Sequence, residues 1–267
     1  ILKVNYVFNR ELYDLALPRY VKLLAENPDY ERADLIHYPL ALCHYNLATQ
    51  EKGGAKRKAG TGAGSSAAEA AEDPAKNQLR RAVTHLKEAL KRKEFESRSE
   101  ATRLLGQCLL LLEDFDGAAK TFQWILERSQ DAKEAVPAGL GLADSHYFRA
   151  DYARAADAYR KVVAVCPGGD DLDRAEFYLA MSLYRDGEAA AASGPRSDAG
   201  KNADQRARSA AECIRLFETI AGKTVPENGA TPAGKAGSRH ALESRYMLAL
   251  ARQAAGDSEG AAEAFRA

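Results

Sequence analysis

Apolar residues recur along most of the chain at spacings of three and four, and β-branched runs with strict alternation are lacking. In LLGQCLLLLEDFDGAAKTFQWIL (104–126) and GLADSHYFRADYARAADAYRKVV (141–163), two such stretches flank a short polar turn. This spacing gathers apolar side chains on one face of a helix, so essentially no sheet is expected. The predicted element is a helix–turn–helix hairpin. One amphipathic hairpin cannot bury its apolar face alone, whereas stacked neighbours bury one another.

The hairpins repeat. Gly106, Ala143 and Ala180 are small residues 37 apart, and Leu110, Tyr147 and Tyr184 follow at the same offset. In the second half of each unit, Phe115, Ala118 and Phe122 match Tyr152, Ala155 and Tyr159, again 37 apart. Small residues let two helices approach closely, and the aromatics fill the space beside them. With gaps allowed, Tyr13, Ala16, Tyr20 and Pro28 complete a first unit. Ala41, Tyr45, Ala82, Leu86 and Ala89 make a second, and Ala249, Gly256, Ala261 and Phe265 a last. This gives about six units.

The order small residue, Leu/Tyr, turn, Tyr/Phe-x-x-Ala-x-x-x-Tyr/Phe and Pro resembles the tetratricopeptide repeat. It is clearest in LYDLALPRYVKLLAENP (12–28) and RADYARAADAYRKVVAVCP (149–167). The usual period is about 34. The extra residues here fall between units, as in NPDYERADLIHY and CPGGDDLDRAEFY. That longer form is similar to repeats of bacterial envelope proteins such as the Tol–Pal coordinator and outer-membrane assembly lipoproteins. The resemblance implies an all-α, right-handed superhelical solenoid whose first helices line a concave side. It also implies a scaffold for protein partners, with an envelope complex as the assembly and the bacterial periplasm or envelope as the setting, the cytoplasm being the alternative.

On that pattern equivalent positions form rows. One row is Phe8, Tyr45, Leu110, Tyr147 and Tyr184, and the next is Asn9, Asn46, Leu111, Phe148 and Arg185. One turn earlier come Asn5, Leu42, Gln107, Asp144 and Met181, flanked by Tyr38, Arg103, Phe177 and Tyr246. Rings supply contact area and amides hold backbone groups, so the rows are expected to form a partner-binding groove. The competing reading is that the rings fill the seam between units. Family members that clamp an acidic C-terminus use Lys, Arg and Asn on first helices. Ile1 and Pro39 stand where two polar clamp residues are expected, so that subtype is not expected here.

Composition narrows the partner. The 267 residues carry 38 basic and 38 acidic side chains, which gives no general attraction to nucleic acid. No apolar run approaches the roughly 20 residues of a membrane span, so no direct insertion is expected. The chain begins at Ile1 and ends at Ala267 inside helical patterns, and it is read as a piece of a longer protein.

Gly/Ala/Ser-rich, charged insertions at 49–78 and 188–205 split two units, and a connector at 222–239 separates the last two. Such segments have too few large apolar residues to bury and are expected to be mobile loops. GATPAGKA (229–236) comes within one residue of a phosphate-binding loop. Ala236 stands where the Mg²⁺-ligating hydroxyl belongs, though, and no hydrophobic strand precedes it. No cofactor is expected.

Cys43, Cys108 and Cys213 lie in apolar helical patterns and Cys166 follows one; buried, inert thiols are expected. His37 and His44 share a helix at i, i+7, but a metal site closed by protein ligands needs three or four that converge, and no such set is evident. His44 and His146 are expected to pack at helix pairs. Glu113, Asp114 and Asp116 are expected to be solvated in a turn. No nucleophile–base pair can be assembled, so the chain is read as no enzyme. The leading expectation is a scaffold binding an extended or helical partner segment. The alternatives are a spacer or oligomerisation module and, more remotely, a subunit of an enzyme whose catalytic domain lies elsewhere.

Overall fold

The computed structural model describes residues 12–58, 73–129, 131–192, 199–223 and 240–266. Among them every regular element is a helix: α1 (Tyr13–Glu26), α2 (Asp34–Lys58), α3 (Pro74–Lys91), α4 (Arg98–Leu111), α5 (Phe115–Leu126), α6 (Ala132–Phe148), α7 (Tyr152–Val165), α8 (Asp170–Ala192), α9 (Ala199–Ala221), α10 (Ala241–Ala254) and α11 (Ser258–Arg266). The chain divides into two compact units, residues 1–127 and 128–267. In the first, α1 to α5 each pack on the next in chain order. In the second, α6 to α11 do the same, and α6 also touches α8. Next-neighbour packing of antiparallel helices is the signature of stacked hairpins, the all-α helical repeat that the 37-residue offset predicts.

The small positions account for the close packing. Gly106, Ala143 and Ala180 are all buried. A Cβ added at Gly106 would lie 2.7 Å from Cζ of Phe122, so the ring of α5 occupies the space a side chain on α4 would need. Tyr159, the residue equivalent to Phe122, is fully buried, as are Ala118 and Ala155 at the other shared offset.

The turns repeat as closely as the core. Glu113, Ala150 and Gly256 each adopt positive φ, at 66°, 61° and 85°. The following residue, Asp114, Asp151 or Asp257, donates its N–H to the carbonyl of Leu109, His146 or Arg252, in each case at 2.9 Å. These are Schellman C-caps. The same aspartates then cap the next helix, accepting from the N–H of Gly117, Arg154 and Gly260. One residue thus ends the first helix and starts the second. Glu113, Asp114 and Asp116 are exposed, as expected of a solvated turn, and Asp114 is a helix cap as well; Glu113 also accepts from Lys76 at 3.0 Å.

Cationic side chains hold further helix ends. Arg98 donates to the carbonyls of Leu90 and Arg92 at the C-terminus of α3 and sits over the Trp124 ring at 5.6 Å. Lys223, just past α9, pairs with Asp173 and Glu176 of α8 at 3.1 and 2.9 Å.

The insertions are helical at their edges. Helix α2 continues to Lys58, α3 begins at Pro74, α8 runs to Ala192 and α9 begins at Ala199. Alanine and lysine are good helix formers, which offsets the lack of apolar side chains once a packed helix has nucleated. Residues 59–72 and 193–198, and the glycine–lysine stretch at 229–236, lie outside the described residues. All four cysteines are free thiols. Cys43, Cys108 and Cys213 are buried, and burial pushes each thiol up to about 12. Cys166 is half-buried.

Candidate functional site

In the second unit aromatic side chains gather around Tyr147 at the end of α6. The Tyr147 ring sits edge-on to Phe148, Tyr152 and Tyr178, with centroids 5.4–5.6 Å apart. Tyr178 in turn stacks on Tyr159 at 5.9 Å and meets Phe177 at 5.3 Å. Phe177 lies face to face with His240 at 4.2 Å and edge-on to Phe217 at 6.2 Å. A continuous series of rings therefore runs from α6 through α8 to the residue preceding α10, in the edge-on and stacked geometries aromatic pairs prefer.

The outer end of this series is accessible. Phe148 is 56 % exposed, Arg185 is exposed, and Tyr147 and Tyr184 are half-buried. The Arg185 guanidinium reaches the Tyr147 hydroxyl and pairs with Glu188 at 3.1 Å, and Tyr184 also bonds to Glu188. Burial raises the pKa of Tyr147, Tyr178 and Tyr184, so all three are neutral phenols. Beside Tyr184, a cavity of about 570 Å³ opens between α8, α9 and α10, lined by small and apolar residues such as Leu183, Ala210 and Ala254 and by the charged Asp186, Glu188 and Arg206. Its size is that of a small-ligand or side-chain pocket.

Three predicted groove residues belong to the core instead. Asp144, Phe177 and Met181 are 6, 2 and 7 % exposed. Asp144 accepts from the Tyr159 hydroxyl at 2.5 Å and pairs with Arg174. Phe177 faces His240 and Phe217. Asp144 lies one turn and Phe177 two turns before the Tyr row, and they meet Tyr159 of α7 and Phe217 of α9, the second helices of their hairpins. Tyr152, Tyr178 and His240, which extend the ring series, were not anticipated. Tyr178 directly follows Phe177, and an aromatic pair at consecutive positions must reach two faces of one helix.

In the first unit, Tyr38, Leu42, Tyr45 and Asn46 on α2 and Arg103 and Gln107 on α4 are all half-buried. Arg103 lies within electrostatic reach of both Tyr38 and Tyr45, whose pKa values are raised mainly by burial. Tyr38 also packs edge-on against Phe95 at 5.5 Å. The Asn46 amide donates to the Leu42 carbonyl at 2.8 Å, so that hydrogen is committed to its own helix. Tyr246 on α10 is 58 % exposed and meets Phe265 edge-on at 6.0 Å. Asn5, Phe8 and Asn9 lie outside the described residues.

Among the described residues, no group of three or more His, Cys, Asp or Glu side chains converges on a metal position. Among them, too, no helix is long and apolar enough to cross a membrane.

Comparison with known proteins bears on the fold. Residues 75–135, which cover α3, α4, α5 and the first turn of α6, match the family model described as Tetratricopeptide repeat. BtubC (BKLC) from P. vanneervenii is similar at 14 % identity and a TM-score of 0.53, over 98 % of this chain and 87 % of that one. The C-terminal part of a TPR repeat-containing protein from Cytophaga hutchinsonii matches at 14 % identity and a TM-score of 0.48, over 99 % and 92 % of the two chains. The apo form of RapI matches at 11 % identity and a TM-score of 0.46, over 99 % and 73 %. No curated protein matches. Likeness at such identity concerns fold, since one fold carries many functions. Residues 75–135 are a tetratricopeptide-repeat segment, and the chain is a protein of helical hairpins throughout its described length.

Proposed function

We propose that the chain is a non-catalytic scaffold that captures an extended or helical segment of a partner protein on the first helices of its hairpins. Tetratricopeptide repeats are in general protein-interaction modules, and the segment 75–135 is one. The observation that carries the reading is the cluster at the end of α6 and the middle of α8. There an exposed phenylalanine, two half-buried tyrosines and an exposed arginine lie near one another, with a cavity beside Tyr184. Tyr and Arg are the residues most enriched at interface hot spots, and rings anchored from below present area without a large ordering cost. In the first unit Tyr45 and Asn46 hold the positions equivalent to Tyr147 and Phe148, and Tyr38 and Arg103 lie nearby. The 37-residue period, similar to that of envelope repeats, supports an envelope assembly as the setting.

A photo-crosslinking side chain placed at Phe148 tests this in the source organism's extract. Crosslinking there to a discrete protein, with none from the same group at Lys161 on the exposed side of α7, is the expected result. Equal labelling at both positions contradicts the reading.

A second reading, an oligomerisation module, is favoured by one feature. Leu242 and Tyr246 on α10 and Phe265 on α11 are 61, 58 and 53 % exposed and form an apolar patch on the last hairpin. Sedimentation of the chain beside a Leu242→Ser/Tyr246→Ser variant distinguishes the two readings: self-association that the variant loses supports the module.

A further inference from the structure

The hairpin of α2 and α3 places His85 against both His37 and His44. Nδ1 of His37 and Nδ1 of His85 face each other 2.9 Å apart, with ring centroids at 5.2 Å. His44 lies parallel to His85 at 5.6 Å, and its own Nδ1 is held by Oε1 of Gln78 at 2.6 Å. His37 and His85 are half-buried, whereas His44 is 3 % exposed. A bond between two imidazole nitrogens needs one donor and one acceptor, which a pair of neutral rings supplies. Burial favours that neutral form, lowering His37 and taking His85 down to about 4.

We propose that His37 and His85 form a two-nitrogen site for a divalent transition metal, copper(II) foremost. Two nitrogens 2.9 Å apart, each about 2.0–2.1 Å from a metal ion, subtend about 90° there. That is the angle between adjacent positions of a tetragonal shell, the geometry of copper(II) and nickel(II), and copper(II) binds such donors most strongly. A tetrahedral ion would need the nitrogens about 3.3 Å apart at the same bond length.

Binding replaces the proton between the rings. The donor ring moves its hydrogen from Nδ1 to Nε2, so both rings stay neutral, and both pivot until their lone pairs meet on the ion. Water fills the remaining positions, because among the described residues no third protein ligand converges. His44 is a positioning residue: stacked on His85 and fixed by Gln78, it sets the plane of that ring. Glu88, whose carboxylate lies near both rings and pairs with Lys91, adds negative charge beside the cation.

The test is titration of the full chain, free of any affinity tag, with copper(II) chloride at neutral pH, followed by calorimetry and electron paramagnetic resonance. One equivalent with a tetragonal spectrum and two coupled nitrogens is expected. His37→Gln and His85→Gln should each weaken binding by at least about tenfold, the lower end of what even an outer partner is worth at a metal site. His146→Gln should bind as the parent does. Should a variant unfold, paramagnetic broadening in the parent decides instead, with the ring signals of His37 and His85 lost before those of His146 and His240. Equal affinity in all the variants, first broadening at His146 or His240, or no saturable binding overturns the proposal.

Discussion

Tyr159 of α7 donates a 2.5 Å hydrogen bond to the carboxylate of Asp144 on α6, deep between the two helices of one hairpin. Arg174 of α8 closes on the same carboxylate from the next hairpin. Burial drives the Asp144 pKa above the ordinary carboxylate range, and the guanidinium and the phenol pull part of that shift back. The three residues thus tie one repeat to the next through a single buried charge. Removing only the phenolic oxygen, in Tyr159→Phe, leaves that charge short of a donor. A loss of about 1.5–3 kcal/mol is expected, the usual worth of a hydrogen bond to a charged group. Urea unfolding followed by circular dichroism measures it.

Phe122 occupies the space above Gly106, so the two residues are matched in shape. Gly106→Ala should destabilise the first unit by about 1–3 kcal/mol, as overpacking of a tight core does, although alanine is the better helix former. A double variant, Gly106→Ala with Phe122→Leu, should recover part of the loss. Thermal melts of the single and double variants test the pairing.

Ala150 holds φ at 61° in the turn between α6 and α7, where the equivalent turn between α10 and α11 has Gly256. A left-handed conformation costs an ordinary residue about 1–2 kcal/mol, and glycine escapes that cost while losing more chain entropy on folding. Ala150→Gly is therefore expected to raise stability by up to about 1 kcal/mol. A lowered unfolding midpoint would contradict the assignment of this turn as a Schellman cap.

The three histidines of the first unit link its stability to pH. Burial lowers the pKa of His37, His44 and His85 alike, the last to about 4. Glu88 opposes the shift at His37 and His85, while Lys91 adds to it at His37 and Arg81 adds to it at His44. A base held below its unfolded value binds fewer protons in the folded chain. Stability is therefore fully present above pH 6.5 and is lost as pH falls toward 4. The urea midpoint of the parent should fall over that window, with a shallower slope in His85→Gln, which removes the largest contributor. Parallel slopes would contradict the account.

The repeat was legible because one offset recurs in residues that the packing constrains. Gly106, Ala143 and Ala180 lie where helices touch, and Phe122 and Tyr159 fill the space beside them. The turn aspartates were less legible, since a carboxylate between two helices reads equally as solvated or as a cap. Only the positive φ of the residue before each one decides for the cap. The predicted rows are accessible only in part. Phe148 and Arg185 are exposed and Tyr147 and Tyr184 half-buried, but the same row logic also collected Asp144, Phe177 and Met181, which are buried. Helical periodicity locates a residue's angle on its own helix. It does not say whether a neighbouring helix covers that angle, and here α7 and α9 do. The pairing of His85 with His37, 48 residues apart, has no local signal at all.

Capture by the face at the end of α6 is the claim on which the functional reading rests. Its most direct measurement is the affinity of the crosslinked partner for the parent chain and for a Phe148→Ala/Arg185→Ala variant, with circular dichroism to show equal helicity. Both substituted residues are exposed, so the fold should hold. The account predicts a loss of at least about 2 kcal/mol in binding, the size of a hot-spot truncation, or roughly 30-fold in Kd. Unchanged affinity in a folded variant would contradict it.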